Sequence, residues 1–256
     1  MGCLFLKSQD NAYYNLTMKV ILTYIAFFLI SIEIYSQSYV DAAGADRFTS
    51  TRALEDFNNL KSGFDDVNDL PEDIKGTMYF ESKFLESVIF LNGVALQEES
   101  LMRYNAFKDE IEIGIRKDQL KASEALVKKL TVAAQIGDLL YIPFTLDPDA
   151  PNDVSYLIQI YKDNDHQLLL RKTKKFIDEK PAPSGIGGFL PARFEDKILV
   201  YYKPAKRKVP IEIKVNKKSL YEIFSDREDE LKKYIQREKI KFKDPSDLII
   251  IFKNFK

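Results

Sequence analysis

Leu101 to Arg116 reads LMRYNAFKDEIEIGIR, two β-prone halves separated by the polar pair Lys108-Asp109. In the second half Ile111, Ile113 and Ile115 fall on one side, and Glu110, Glu112 and Arg116 on the other. That period of two suits a half-buried strand and not a helix, whose period is 3.6. With Lys108-Asp109 as the turn, the stretch predicts a hairpin of Leu101 to Phe107 against Glu110 to Arg116, its glutamates on a wet face.

Outward from this hairpin, short β-branched and aromatic runs alternate with turn residues. Upstream the pattern predicts strands at Thr77 to Phe80, Ser87 to Leu91 and Val94 to Gln97, the last two joined by Asn92-Gly93, whose residues tolerate positive φ. Downstream it predicts strands at Leu139 to Phe144, Ser155 to Lys162, Gln167 to Phe176, Lys197 to Lys203 and Val209 to Val215. Helical period returns only near the end. Asn216 starts one short helix, Ser225-Asp226-Arg227-Glu228 reads as a capping box, and Asp244-Pro245-Ser246-Asp247 sets a cap and an N1 proline before Leu248 to Phe255. The fold class expected is therefore mainly β: an antiparallel β-sandwich or partly open barrel, residues 76–256, with two or three short C-terminal helices in 216–256.

Of the 256 residues, 45% are hydrophobic and 30% charged, an ordinary globular composition that excludes disordered, collagen-like and polytopic membrane classes. One Cys, one His and no Trp leave no material for a disulfide framework or a Cys- and His-rich zinc site. A formal net charge of −1 gives no reason to expect nucleic acid as a partner.

Val20 to Ile32 (VILTYIAFFLISI) is the strongly apolar run, preceded by Met18-Lys19 and followed by a polar stretch ending in Ser36-Gln37. This is the layout of a secretory signal peptide, 18–36, with cleavage expected after Ser36. Residues 1–17 read as an over-called extension ahead of a start at Met18, and an uncleaved anchor helix is the rival reading of the apolar run. Cleavage removes Cys3, so the mature chain has no cysteine, and no stable membrane span is expected afterwards. Residues 37–75 read as an acidic flexible arm with one short amphipathic helix at Thr51 to Leu60.

Several short stretches carry a resemblance: Gly76 to Phe80 (GTMYF), Val88 to Gly93 (VIFLNG), Met102 to Asn105 with Asp109 to Glu112, Ile136-Gly137-Asp138, Phe194 to Tyr202, and Leu231 to Lys239. In them the chain from Gly76 onward resembles a class of small secreted β-rich proteins common in Bacteroidetes genomes. The resemblance implies an exported or envelope protein without assigned activity, and it transfers no catalytic residue. Cargo of that lineage's dedicated secretion system ends in a β-domain sorting signal, whereas this chain ends in predicted helices.

No stretch carries a catalytic signature. His166, the one imidazole, falls at a predicted turn where exposure is expected, and no nucleophile elbow accompanies it. Asp147, Asp149 and Asp153 form an oxygen-rich loop that suits calcium but lacks the glycine and terminal glutamate of an EF-hand, and a Pro-rich turn is the competing reading. Gly185, Gly187 and Gly188 sit in PAPSGIGGFLP, where Phe189-Leu190-Pro191 replaces the Lys and helix start of a phosphate loop, so a moving connector is expected. Tyr104, Tyr201 and Tyr202 are candidates for a stacking face, although alternation turns one of two adjacent tyrosines inward. Glu81, Glu86, Glu110 and Glu112 are the carboxylates from which a glycosidase pair would be drawn. No cofactor is called for. The function expected is a secreted or periplasmic envelope protein that binds another protein or a surface polymer, with a carboxylate-dependent hydrolase of an envelope polymer or glycan as the alternative.

Overall fold

Among the described residues the strands pair antiparallel and most of them form one large sheet that is not closed into a barrel, with three helices near the C-terminus. The computed structural model describes residues 58–63, 73–96, 100–181 and 188–255. The signal segment, most of the acidic arm and Gly185 and Gly187 lie outside the described residues.

In chain order the strands are β1 (Lys61–Ser62), β2 (Leu85–Leu91), β3 (Val94–Ala95), β4 (Ser100–Asn105), β5 (Glu110–Gly114), β6 (Glu124–Leu126) and β7 (Val132–Ile136). They continue as β8 (Leu139–Thr145), β9 (Val154–Lys162), β10 (His166–Ile177), β11 (Lys180–Pro181), β12 (Phe189–Leu190), β13 (Arg193–Pro204) and β14 (Ile211–Ile213). Across the sheet the order is β1-β6-β5-β4-β2-β7-β8-β9-β10-β13-β14, with β3 beside β2, while β11 and β12 make a separate two-stranded ribbon.

Neighbouring strands are mostly neighbours in sequence because tight turns join them. Asn92 and Gly93 take φ of 52° and 82° between β2 and β3, as the Asn-Gly signal requires. The β4–β5 connection departs from the two-residue turn expected. It uses four residues, 106–109, with Asn105 Oδ1 accepting from the Phe107 and Lys108 amides and Asp109 in the left-handed region at φ 57°. The register therefore pairs Arg103 with Glu112, not Asn105 with Glu112. β5 ends at Gly114, so Ile115 leaves the apolar row and is exposed.

The sheet curls, and the tip of the β4–β5 hairpin marks where the curl meets itself. β9 and β10 pair only over Gln167–Leu170, after which β10 continues beside β13 alone. The β4–β5 tip reaches the two strands where they part: the Lys174 amide donates to Ala106 O (3.0 Å), and the Tyr156 amide donates to Asp109 Oδ1 (3.1 Å). Asp109 Oδ1 also accepts from the Tyr104 hydroxyl (2.7 Å), and its other oxygen lies 3.3 Å from Lys128 Nζ and 3.8 Å from Arg171. Inside the curl, Met102, Tyr104, Ile111, Ile113, Val132, Tyr141, Tyr156 and Ile158 build the main core, which also takes in Leu60 from the end of the predicted arm helix.

A second core joins the sheet to the helices α1 (Lys217–Ile223), α2 (Glu228–Arg237) and α3 (Pro245–Asn254). Leu168, Val200 and Tyr202 meet Leu220, Leu231, Ile235, Leu248, Ile251 and Phe252 there. Asn216 caps α1 by accepting from the Ser219 amide, and Asp244 with Asp247 forms a complete capping box on α3. The expected box at Ser225–Glu228 does not form. A cap residue must be extended, but Ser225–Arg227 is already a 3₁₀ turn running on from α1, and α2 starts after Arg227 without a side-chain cap. Thr77 to Phe80 also differs from expectation: only Tyr79 makes an isolated bridge, to Asn105. Among the described residues no helix is long and apolar enough to cross a membrane.

Candidate functional site

The carboxylates proposed for hydrolysis are not gathered into a pair facing a cleft. Glu112 is wholly buried, a correction to the wet face expected of it. Segment 77–84 crosses the outer side of the β4–β5 hairpin and brings Tyr79 and Phe84 over Arg103, whose Cζ lies 4.0 and 4.3 Å from the two ring centroids. Arg103 Nε donates to Glu112 Oε2 (2.6 Å), and its other nitrogens donate to Ser82 O, Leu120 O and the Tyr79 oxygen. Glu112 further accepts from Asn105 Nδ2 (2.8 Å) and the Tyr79 hydroxyl (3.0 Å). A carboxylate buried in this way and held by three donors serves the fold, not a cleft. Glu86 is exposed and paired with Lys117, which holds its carboxyl below the usual value. Glu81 is exposed and accepts from the Lys83 amide.

The tyrosine candidates are separated. Tyr104 is buried in the main core, 4.9 Å between ring centroids from Tyr141. Tyr201 and Tyr202 are both buried on opposite faces of β13, Tyr201 with Leu157 and Leu169 and Tyr202 under the helices. Gly188 is exposed beside β12. In the 147–153 loop the Asp147 carboxylate accepts from the Asp149 amide, and Ala150 N and Asp153 N close turns on Asp147 O and Ala150 O. No group of three or more His, Cys, Asp or Glu side chains among the described residues is placed to hold a metal ion.

The groups that do converge lie around His166. The β9–β10 turn is closed by Asp163, whose Oδ1 accepts from the Asp165 and His166 amides at 2.9 and 2.7 Å. This places His166 at the head of β10, half-buried where exposure was expected, because the helical layer packs over the turn. Its ring centroid lies 5.8, 5.5 and 5.4 Å from those of Tyr202, Phe224 and Phe252, and its Nδ1 is 2.8 Å from the Tyr202 hydroxyl oxygen. The Tyr161 hydroxyl reaches both Asp163 Oδ2 (2.5 Å) and Phe252 O (2.8 Å), tying the turn to α3.

Here the chain leaves a cleft of about 430 Å³, with the turn on one side and Phe224, Asp226, Arg227, Phe252 and Phe255 on the other. Burial raises the Asp163 carboxyl, but hydrogen bonds from Tyr161 and the two amides, with the nearby His166 ring, outweigh it and leave the group below its ordinary value. Burial and the Asp163 carboxylate push the Tyr161 hydroxyl up to about 12. Burial, Asp163 and Asp165 also raise Tyr202. Sequence reasoning found His166 but not its surroundings. The available signal was the recurrence of Phe224, Phe252 and Phe255 on the capped helices.

Comparison of the chain with protein-family models, curated proteins and solved structures finds no match.

Proposed function

We propose that the chain is an exported, non-catalytic binding module of the cell envelope, and that the cleft around His166 is where it meets its ligand. The observation that carries this reading is the lining of that cleft, where carboxylates, an imidazole and a guanidinium gather between the β9–β10 turn and the C-terminal helices. The Asp163 carboxyl is held below its ordinary value, whereas a glycosidase acid needs one raised. Export itself is read from Val20 to Ile32 and the resemblance.

The test is co-sedimentation of the mature chain with purified envelope polymer and with separated membranes, while the supernatant is assayed for released sugar or peptide. Co-sedimentation without product, weakened in an Asp165→Asn, Asp226→Asn variant, is the result expected. Release of product would establish the hydrolase instead, and a chain left wholly in the supernatant would end the envelope-binding reading. Mass spectrometry of the protein from whole cells should find Gln37 as the first residue, and retention of Val20 to Ile32 would refute the signal peptide.

A further inference from the structure

We infer that a small cavity at the edge of the main core holds the carboxylate of a short aliphatic acid, between the Lys172 ammonium and the Tyr141 hydroxyl. The site is separate from the His166 cleft and does not depend on the reading made of it. The cavity has a volume of about 50 Å³, with Phe80, Leu139 and Tyr141 in its wall and Lys172 contributed by β10.

Two polar groups in this lining lack partners. Tyr141 is only 6% exposed, yet its hydroxyl has no hydrogen-bond partner among the described residues, whereas the neighbouring Tyr104 donates to Asp109. Buried phenols ordinarily find a partner. Burial raises the Tyr141 pKa, so at neutral pH the group keeps a proton to donate. Lys172 is half-buried and has no ion-pair partner among the described residues. β9 has parted from β10 before this point, and the residue opposite Lys172 on β13 is Ile198, so neither neighbour sets an acid against it. Its ammonium lies 5.4 Å from the Phe80 centroid; Lys174, 4.4 Å from the same ring, is paired with Asp196.

Charge and size then select the ligand. Glu112 neutralises Arg103, which leaves Lys83 and Lys172 in the lining against the exposed Glu81, an excess of positive charge. A buried water needs about 10–15 Å³, so there is room for roughly three or four water-sized groups, enough for a carboxylate with one or two carbons. Its two oxygens match the two donors, and its carbons face Phe80 and Leu139. A phosphate would leave further oxygens against that apolar wall without partners.

The test is saturation-transfer NMR of the full mature chain with sodium propionate at constant ionic strength. Saturable transfer is expected, weakened about tenfold in Tyr141→Phe and in Lys172→Met, and not displaced by phosphate. Tyr141→Phe removes a hydroxyl that no described residue uses, so its melting temperature should match that of the parent chain and the comparison does not rest on a damaged fold. N-acetylglycine, a peptide carboxyl terminus in miniature, should bind more weakly because its amide meets the apolar wall. Absence of saturable transfer, equal binding in both variants, displacement by phosphate, or tighter binding of N-acetylglycine would each overturn the inference.

Discussion

Replacing Glu112 with Leu should cost far more stability than the loss of one hydrogen-bonded pair suggests, and replacing Arg103 in the same molecule should restore much of it. In the single variant a guanidinium that is 4% exposed stays between the Tyr79 and Phe84 rings without its counter-charge. Asn105 Nδ2 and the Tyr79 hydroxyl lose their acceptor as well. Breaking a buried pair from one side costs about 3–5 kcal/mol, a large share of the roughly 5–15 kcal/mol that holds an ordinary domain folded. Arg103→Met leaves the opposite charge stranded and should cost about the same. In Arg103→Met, Glu112→Leu no charge is left uncompensated, and two apolar side chains fill the space. The groups that lose a partner are neutral, namely Ser82 O, Leu120 O, Asn105 Nδ2 and the Tyr79 hydroxyl, at about 1–3 kcal/mol for one kept from water. The double variant should therefore lose about 3–5 kcal/mol in place of the roughly 6–10 given by addition, a coupling of about 4 kcal/mol at the midpoints. Urea unfolding followed by far-ultraviolet circular dichroism and tyrosine emission measures it, since the chain has 14 Tyr and no Trp. The exposed Lys117–Glu86 pair, in a parallel cycle, should show no measurable coupling. Additive losses at Arg103 and Glu112 would refute the reasoning, because the two side chains would then not act as one unit.

Three other outcomes follow from the geometry. A Cβ at Gly114 would stand 2.7 Å from the Phe84 ring, so Gly114→Ala should cost about 1–3 kcal/mol in urea melts, and a neutral effect would mean that Phe84 is free to move. At Asp109, where φ is 57°, Asp109→Gly should be about 1 kcal/mol more stable than Asp109→Ala, since both lose the carboxylate but only alanine keeps the left-handed strain; equal stabilities would contradict the turn geometry. For pH, the lowered Asp163 pKa adds stability present above its unfolded value near 3.9 and lost as acid protonates the folded group. The raised Tyr161 pKa adds stability present below about 10 and lost as pH climbs through about 12. Asp163→Asn should flatten the acid limb and Tyr161→Phe the alkaline one, and unchanged limbs in thermal melts would disprove the assignment.

The hairpins were legible because their signals are local. Asn92-Gly93 needs positive φ at adjacent positions and takes it, and the alternation in 101–116 reads directly as β4 and β5. Caps at Asn216 and Asp244 were legible for the same reason. What escaped depends on distant chain. β7 carries Ala133 and Ala134 in place of a β-branched row, and it is a strand because β2 and β8 flank it. Glu112 looked solvated because its strand alternates correctly, and nothing in β5 announces that 77–84 will cover the polar side. A turn longer by two residues also slid the register and set Glu112 opposite Arg103. The His166 cleft needed the end of α1, the turn after it and α3 to arrive from fifty and more residues downstream.

The seam at Asp109 bears on the order in which the molecule assembles. The hairpins that make up most of the sheet close short loops, which costs little entropy and takes microseconds. The contact from Asp109 to the Tyr156 amide spans 47 residues and rests on side-chain and turn groups instead of a continuous ladder. In the sheet β2, β7 and β8 stand between the hairpin and β9, so the seam should close only after they have paired, late on the folding pathway. It is also the place where the finished protein should open first, with the amides of Tyr156 and Lys174 exchanging their hydrogens ahead of those in the central strands.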